Sequence, residues 1–129
     1  MEREDFARWI DEYERAWRRP GTAALEELFG SDATYVPAPF DPPLQGRAAI
    51  ATFWEAERES AEEVFALTCE LLALEGDVGV ARVEVRYGDP PVQVYRDLWI
   101  VTFDSAGRCI AFEEWPFFPG QRRSASDPP

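Results

Sequence analysis

The sequence contains no histidine, no lysine and no asparagine, and only two cysteines in 129 residues. Without histidine there is no Ser-His-Asp or Cys-His nucleophile, no proximal haem ligand and no histidine-containing metal site. Without lysine there is no Schiff-base chemistry and no P-loop lysine. Cys69 and Cys109 form no CxxC pair. They read as two small buried hydrophobes in a reducing compartment, and a cysteine nucleophile would lack its histidine. No metal and no cofactor is expected. No apolar run reaches the ~18–20 residues of a membrane span. The opening MEREDFARWIDEY is charged and amphipathic, without the apolar core of a signal peptide, so a cytoplasmic protein is expected. All 13 basic residues are arginine. That bias, beside abundant Ala, Gly and Pro, points to a bacterial genome of high GC content.

The charge is also one-sided, at −12 net. Such a surface repels nucleic acid and anionic membranes, and the arginines are scattered among acids rather than gathered in a stripe. Neither is expected as a partner; a neutral apolar molecule or a cation is compatible. The chain is 46% hydrophobic and 14% aromatic, enough for the core of one domain without staples.

Along residues 3–19, Phe6, Trp9, Ile10, Tyr13, Ala16 and Trp17 recur at helical spacing, with charges filling the other face. Pro20-Gly21 stops this helix. Thr22 is expected to cap a short second helix carrying Leu25, Leu28 and Phe29, with Gly30 ending it. Asp32 is expected to cap a turn beside that helix. Residues 33–36 read as a short strand, and PAPFDPPLQG as an ordered loop that proline keeps out of a ladder. A third helix begins near Arg47 and buries Ile50, Phe53 and Trp54. From Glu63 onward four strand-like runs follow: VFALTCELLAL, VGVARVEVRY, VQVYRDLWIVTF and RCIAFEEWPFF. Short Gly/Asp/Pro turns between them make consecutive strands antiparallel. The tail 120–129 reads as disordered.

Helices first and strands after predict an α+β domain over 1–119, with three N-terminal helices on one face of a curved antiparallel sheet and a pocket between. The run at 92–103 is apolar on both faces. Trp99, Val101 and Phe103 lie on one, Leu98, Ile100 and Thr102 on the other. One face therefore meets the helices, and the other is expected to meet a second subunit in a homodimer.

Three segments, ALEELFGSDATYV, PPLQGRAAIATFW and LWIVTFDSAGRCIAFEEW, in this order resemble the nuclear transport factor 2-like superfamily and within it the SnoaL-like branch. The resemblance implies a cone whose open end holds a pocket. It leaves activity open, because such cones serve isomerases, dehydratases, epoxide hydrolases, polyketide cyclases and binding domains. Laid on ketosteroid isomerase, the oxyanion tyrosine falls on Tyr13, the general base on Pro37 and the second aspartate on Trp99. Proline cannot act as a base, so that activity is rejected. The His–Asp type of polyketide cyclase finds no histidine. The same comparison implies that Arg82, Glu84, Asp97, Val101, Phe112 and Glu114 face the cavity. Arg82 between Asp97 and Glu114 resembles the Arg–carboxylate water site of limonene epoxide hydrolases.

Two readings of residues 78–87 stand side by side. Alternation puts Val83, Val85 and Tyr87 inside and Arg82, Glu84 and Arg86 in solvent; the resemblance puts Arg82 and Glu84 inside. Asp97 sits in an apolar run, and one of Glu113 and Glu114 must face inward. Buried charges need partners. The acids form either a structural ion pair with Arg82 or Arg96, or an acid–base pair in the pocket. Tyr13 and Trp17 fit the core from the helix stripe alone; the resemblance raises Tyr13 as a hydrogen-bond donor. Trp99 and Trp115 fit core, pocket wall or dimer contact. Tyr35 and the PAPFDPP loop are candidates for the rim. The expected function is a pocket for a small apolar or aromatic ligand, with Asp97, Glu114 and Tyr13 as catalytic candidates for proton transfer or water addition. Trp17, Tyr35, Arg82, Glu84, Trp99, Val101 and Phe112 are the binding candidates. The alternative is a non-catalytic binding or dimerisation domain.

Overall fold

The structure is a computed structural model that describes residues 1–58 and 64–121. Its first helix, α1 (Arg3–Arg18), buries Phe6, Trp9, Ile10, Tyr13 and Ala16. Asp5 caps it by accepting from the Glu2 amide at 2.9 Å. Acids lie in its first turn and arginines in its last, complementing the helix dipole. The helix ends at Arg19 because the next residue is proline, which pushes its predecessor into extended backbone, here φ −87° and ψ 143°.

The second helix, α2 (Leu25–Leu28), is a single turn. Thr22 does not cap it with its side chain; the Leu25 amide donates to the Thr22 carbonyl instead. Gly30 does not end it either. The chain passes directly into β1 (Phe29–Val36), which carries Phe29, Gly30 and Asp32. Phe29 is fully buried there, so its side chain anchors a strand rather than a helix. Asp32 is exposed on that strand and caps nothing; its carbonyl accepts from Gln45 of β2 (Leu44–Gln45). Gly46, at φ 90°, turns the chain into α3 (Arg47–Glu57), which buries Ile50 and Trp54.

Four long strands follow: β3 (Phe65–Glu75), β4 (Val78–Tyr87), β5 (Gln93–Phe103) and β6 (Cys109–Phe117). These are consecutive antiparallel neighbours. The sheet is nevertheless mixed. Its order is β2-β1-β6-β5-β4-β3, and β1 runs parallel to β6. The fold is thus a curved six-stranded mixed sheet with helices, rather than a purely antiparallel sheet under three full helices. Register shifts in β3 near Leu72 and in β6 near Ile110 bend it.

One face of the sheet and the helices enclose a largely aromatic core. Trp9 packs edge-on against Phe29 and Phe103, and Tyr13 packs against Trp54, Trp99 and Phe112. Cys109 is buried in this core, but Cys69 is exposed on β3, against the expectation that both would be buried. Among the described residues no helix is long and apolar enough to cross a membrane. Gly120 and Gln121 follow β6 in a turn, the Gln121 amide donating to the Phe118 carbonyl. The rest of the expected disordered tail, 122–129, and Glu63 lie outside the described residues.

Candidate functional site

The helices cover only part of the concave face. Beyond Tyr13 and Trp17 of α1 the sheet opens into a cavity of about 530 Å³. Tyr35 of β1 and Phe53 and Glu57 of α3 close one side. Phe65, Leu67, Val85 and Tyr87 of β3 and β4 close another. Tyr95, Asp97 and Trp99 of β5 and Glu114 and Pro116 of β6 also line the wall.

The sheet register explains why the two acids meet. Asp97 lies opposite Pro116, and Trp99 lies opposite Glu114. Asp97 and Glu114 are therefore diagonal neighbours on the inward face. Asp97 is 4% exposed. Glu114 keeps accessible area only because it faces the cavity; protein surrounds it otherwise. Burial raises the pKa of both. The closeness of the two carboxyls raises Glu114 further. Two like charges this close cannot both be comfortable, so the pair shares one proton. The Trp99 indole favours the charged form of both, although its Nε1 lacks a hydrogen-bond partner of normal geometry. Asp97 Oδ1 is also unpartnered.

A tyrosine pair stands beside the acids. The Tyr13 and Tyr35 hydroxyls are 3.0 Å apart, and either can donate. Both rings stack on Phe112, with centroids at 5.6 and 4.6 Å. Burial, above all, pushes both phenols well above their ordinary value. They remain neutral donors. Trp17 adds an indole Nε1 that is buried without a partner.

Other candidates lie elsewhere. Val101 is fully buried and Phe112 1% exposed, and both sit behind the cavity wall rather than in it. Arg82 and Glu84 do not face the cavity. Arg82 is exposed and pairs with Glu70 across β3 and β4, and Glu84 accepts from Arg86 and Arg96. The physical reason is that β4 pairs with β5 residue for residue, without a bulge, so Ala81, Val83 and Val85 take the inward phase. The structure thereby overturns both the Arg–carboxylate water site and the ion pair of Asp97 with Arg82 or Arg96. Trp115 points outward and donates to Glu113. Residues 37–43 of the proline-rich loop, Pro37 included, do not line the cavity, and Phe40 is fully exposed. The sequence reading missed Glu57 and Tyr95 as wall residues. Glu57 stands one helical turn beyond Phe53, a spacing that could have found it.

The SnoaL-like domain model matches residues 9–112. The chain belongs to the SnoaL-like domain family. No curated protein matches it. Among solved structures it resembles a steroid delta-isomerase from Pseudomonas aeruginosa, at 21% identity and a TM-score of 0.63, over 88% of this chain and 80% of that one. It also resembles a candidate polyketide cyclase from Sinorhizobium meliloti, at 25% identity and a TM-score of 0.59, over 82% and 92%. A nuclear transport factor 2-like protein of unknown function from Silicibacter pomeroyi matches at 18% identity and a TM-score of 0.54, over 88% and 94%. This SnoaL-like chain thus shares the nuclear transport factor 2-like fold with proteins of differing names.

Proposed function

We propose that this SnoaL-like protein binds a small molecule with an apolar or aromatic body and acts on it by proton transfer or water addition. Glu114 is the acid, Asp97 the base, and the Tyr13–Tyr35 pair the hydrogen-bond donor. The observation that carries this reading is a buried carboxyl pair, one member with an unpartnered oxygen, on the wall of an aromatic cavity. Environments that split two neighbouring carboxyls into acid and base are the usual basis of such chemistry. Solvent-deuterium incorporation into cavity-sized ketones and hydration of small epoxides, followed by NMR, test it. General acid–base catalysis contributes ~10²–10⁴-fold, so Asp97→Asn should lose at least about a hundredfold of any turnover found. Unchanged turnover in that variant removes the assignment.

A second reading is a binding domain without chemistry. The outward position of Arg82 favours it, because no arginine orients a water between the acids. Ligands would then stabilise the protein, by about 2.7 kcal/mol at a hundredfold excess over Kd, with no exchange or hydration. We further propose that the protein works as a homodimer through the outer sheet face. The free, exposed Cys69 supports a reducing, cytoplasmic setting.

A further inference from the structure

The cavity carries charge of one sign. Among the described residues Asp97, Glu114 and Glu57 are its acids, and no arginine lines it. Asp97 is 4% exposed, and its Oδ1 has no donor. A buried carboxylate oxygen left this way is costly, and among the described residues no cationic side chain lines the wall to offset its charge. Around it stand the rings of Tyr13, Trp17, Tyr35 and Trp99, with Tyr87 and Tyr95 further out. Aromatic faces are negative and attract cations. The wall already shows this twice: the Arg18 guanidinium lies 3.8 Å from the centroid of the Phe65 ring, and the Arg58 guanidinium 5.5 Å from that of Trp17. Arg18 is paired with Glu14 at 2.7 Å and Arg58 with Glu55 at 3.3 Å, and neither lines the cavity.

We propose that the ligand is a hydrophobic organic cation, an ammonium on an aromatic or alicyclic body, with its charged end against Asp97 and Glu114. This rests on the reading of the cavity as a small-molecule site. An anionic ligand would meet three carboxyls and no base. A bare metal ion is a poorer fit, because among the described residues no group of three or more acids or cysteines is placed to hold one. The charged end would stand in the field of the Asp97–Glu114 pair, and primary and quaternary ammoniums alike would gain from that charge and from the rings.

Isothermal titration of the intact protein with three probes of similar size decides the matter. Benzyltrimethylammonium carries the charge, neopentylbenzene is its neutral isostere, and phenylacetate is an anion. The ammonium should bind on the order of tenfold more tightly than neopentylbenzene, and phenylacetate more weakly than either. Asp97→Asn should bring the ammonium to the affinity of the neutral probe without moving the latter. Glu114→Gln serves as a second variant, and the wild-type comparison stands without either. Neopentylbenzene binding as tightly as the ammonium, or more so, overturns the cation inference and leaves the small-molecule site standing. Silence toward all three probes overturns the site itself and this inference with it.

Discussion

Glu114 couples the candidate site to stability. Its folded pKa lies well above 4.5, first because it is buried and then because Asp97 stands beside it. In the unfolded chain it ionises near the ordinary value; in the folded chain it keeps its proton. The folded state therefore binds more protons, and stability falls as pH rises from about that value until the folded pKa is passed. Glu114→Gln keeps the shape and removes the titration. The variant should match the wild type at acid pH and exceed it on the alkaline side. Urea denaturation of both proteins across pH measures the difference, in which the carboxyls away from the Asp97–Glu114 pair cancel. Parallel curves would show that Glu114 does not hold a raised pKa. Asp97 was legible in the sequence because it interrupts an apolar strand; the pattern required one of Glu113 and Glu114 to face inward, and the resemblance pointed to Glu114. Arg82 and Glu84 were not legible, because a gap-free comparison carries facing from another sheet, and one residue of slip reverses every side chain. The local alternation of β4, undisturbed by a bulge toward β5, was the better guide.

The seating of α1 on the sheet depends on a glycine. Gly79 lies under the Phe6 ring, and a Cβ there would stand 2.5 Å from Phe6 Cε2. Phe6 is fully buried and packs edge-on against Phe103, so the ring has no room to withdraw. Gly79→Ala should therefore cost about 1–3 kcal/mol through overpacking, despite the better strand propensity of alanine. Chemical denaturation reads this directly, and an unchanged midpoint would mean that α1 slides freely on the sheet. The helix itself was readable, since its stripe, its charged ends and the following proline all agree. The long strands were readable for the same reason, each lying within a residue or two of its alternating run. The short helix at Leu25–Leu28 and the strand at 33–36 were read from local signals, which failed at the junction between them. A glycine after Leu-Phe reads as a helix stop, yet Gly30 continues a strand. The parallel partner that pulls residues 29–36 into the sheet is β6, some eighty positions away along the chain. No local pattern encodes a pairing of that range, which is why the mixed sheet was out of reach.

The two faces of the sheet divide the molecule's tasks. Helices and cavity occupy the inner face. On the outer face Leu98 and Ile100 of β5 lie between Arg82 and Val80 of β4 and Trp115 and Glu113 of β6. Trp115 is 38% exposed, Phe117 48% and Val78 39%, so an apolar band crosses the outer strands. Ion pairs Arg82–Glu70 and Arg96–Glu84 lie on the same face. A band of this kind is a natural contact between two copies of the chain. Each copy also carries −12, which opposes the approach. The proposed dimer must therefore gain its stability from the apolar band while salt relieves the long-range repulsion. Association should strengthen between low and physiological salt, opposite to a contact built on ion pairs. Ile100→Glu sets a charge in the band without touching the cavity, whose wall uses the alternate residues Asp97 and Trp99. That variant should be monomeric by light scattering at micromolar concentration and keep the ligand affinity of the wild type. A wild-type chain that stays monomeric at every salt concentration would rule the dimer out, and the apolar band would then be a surface this protein simply tolerates.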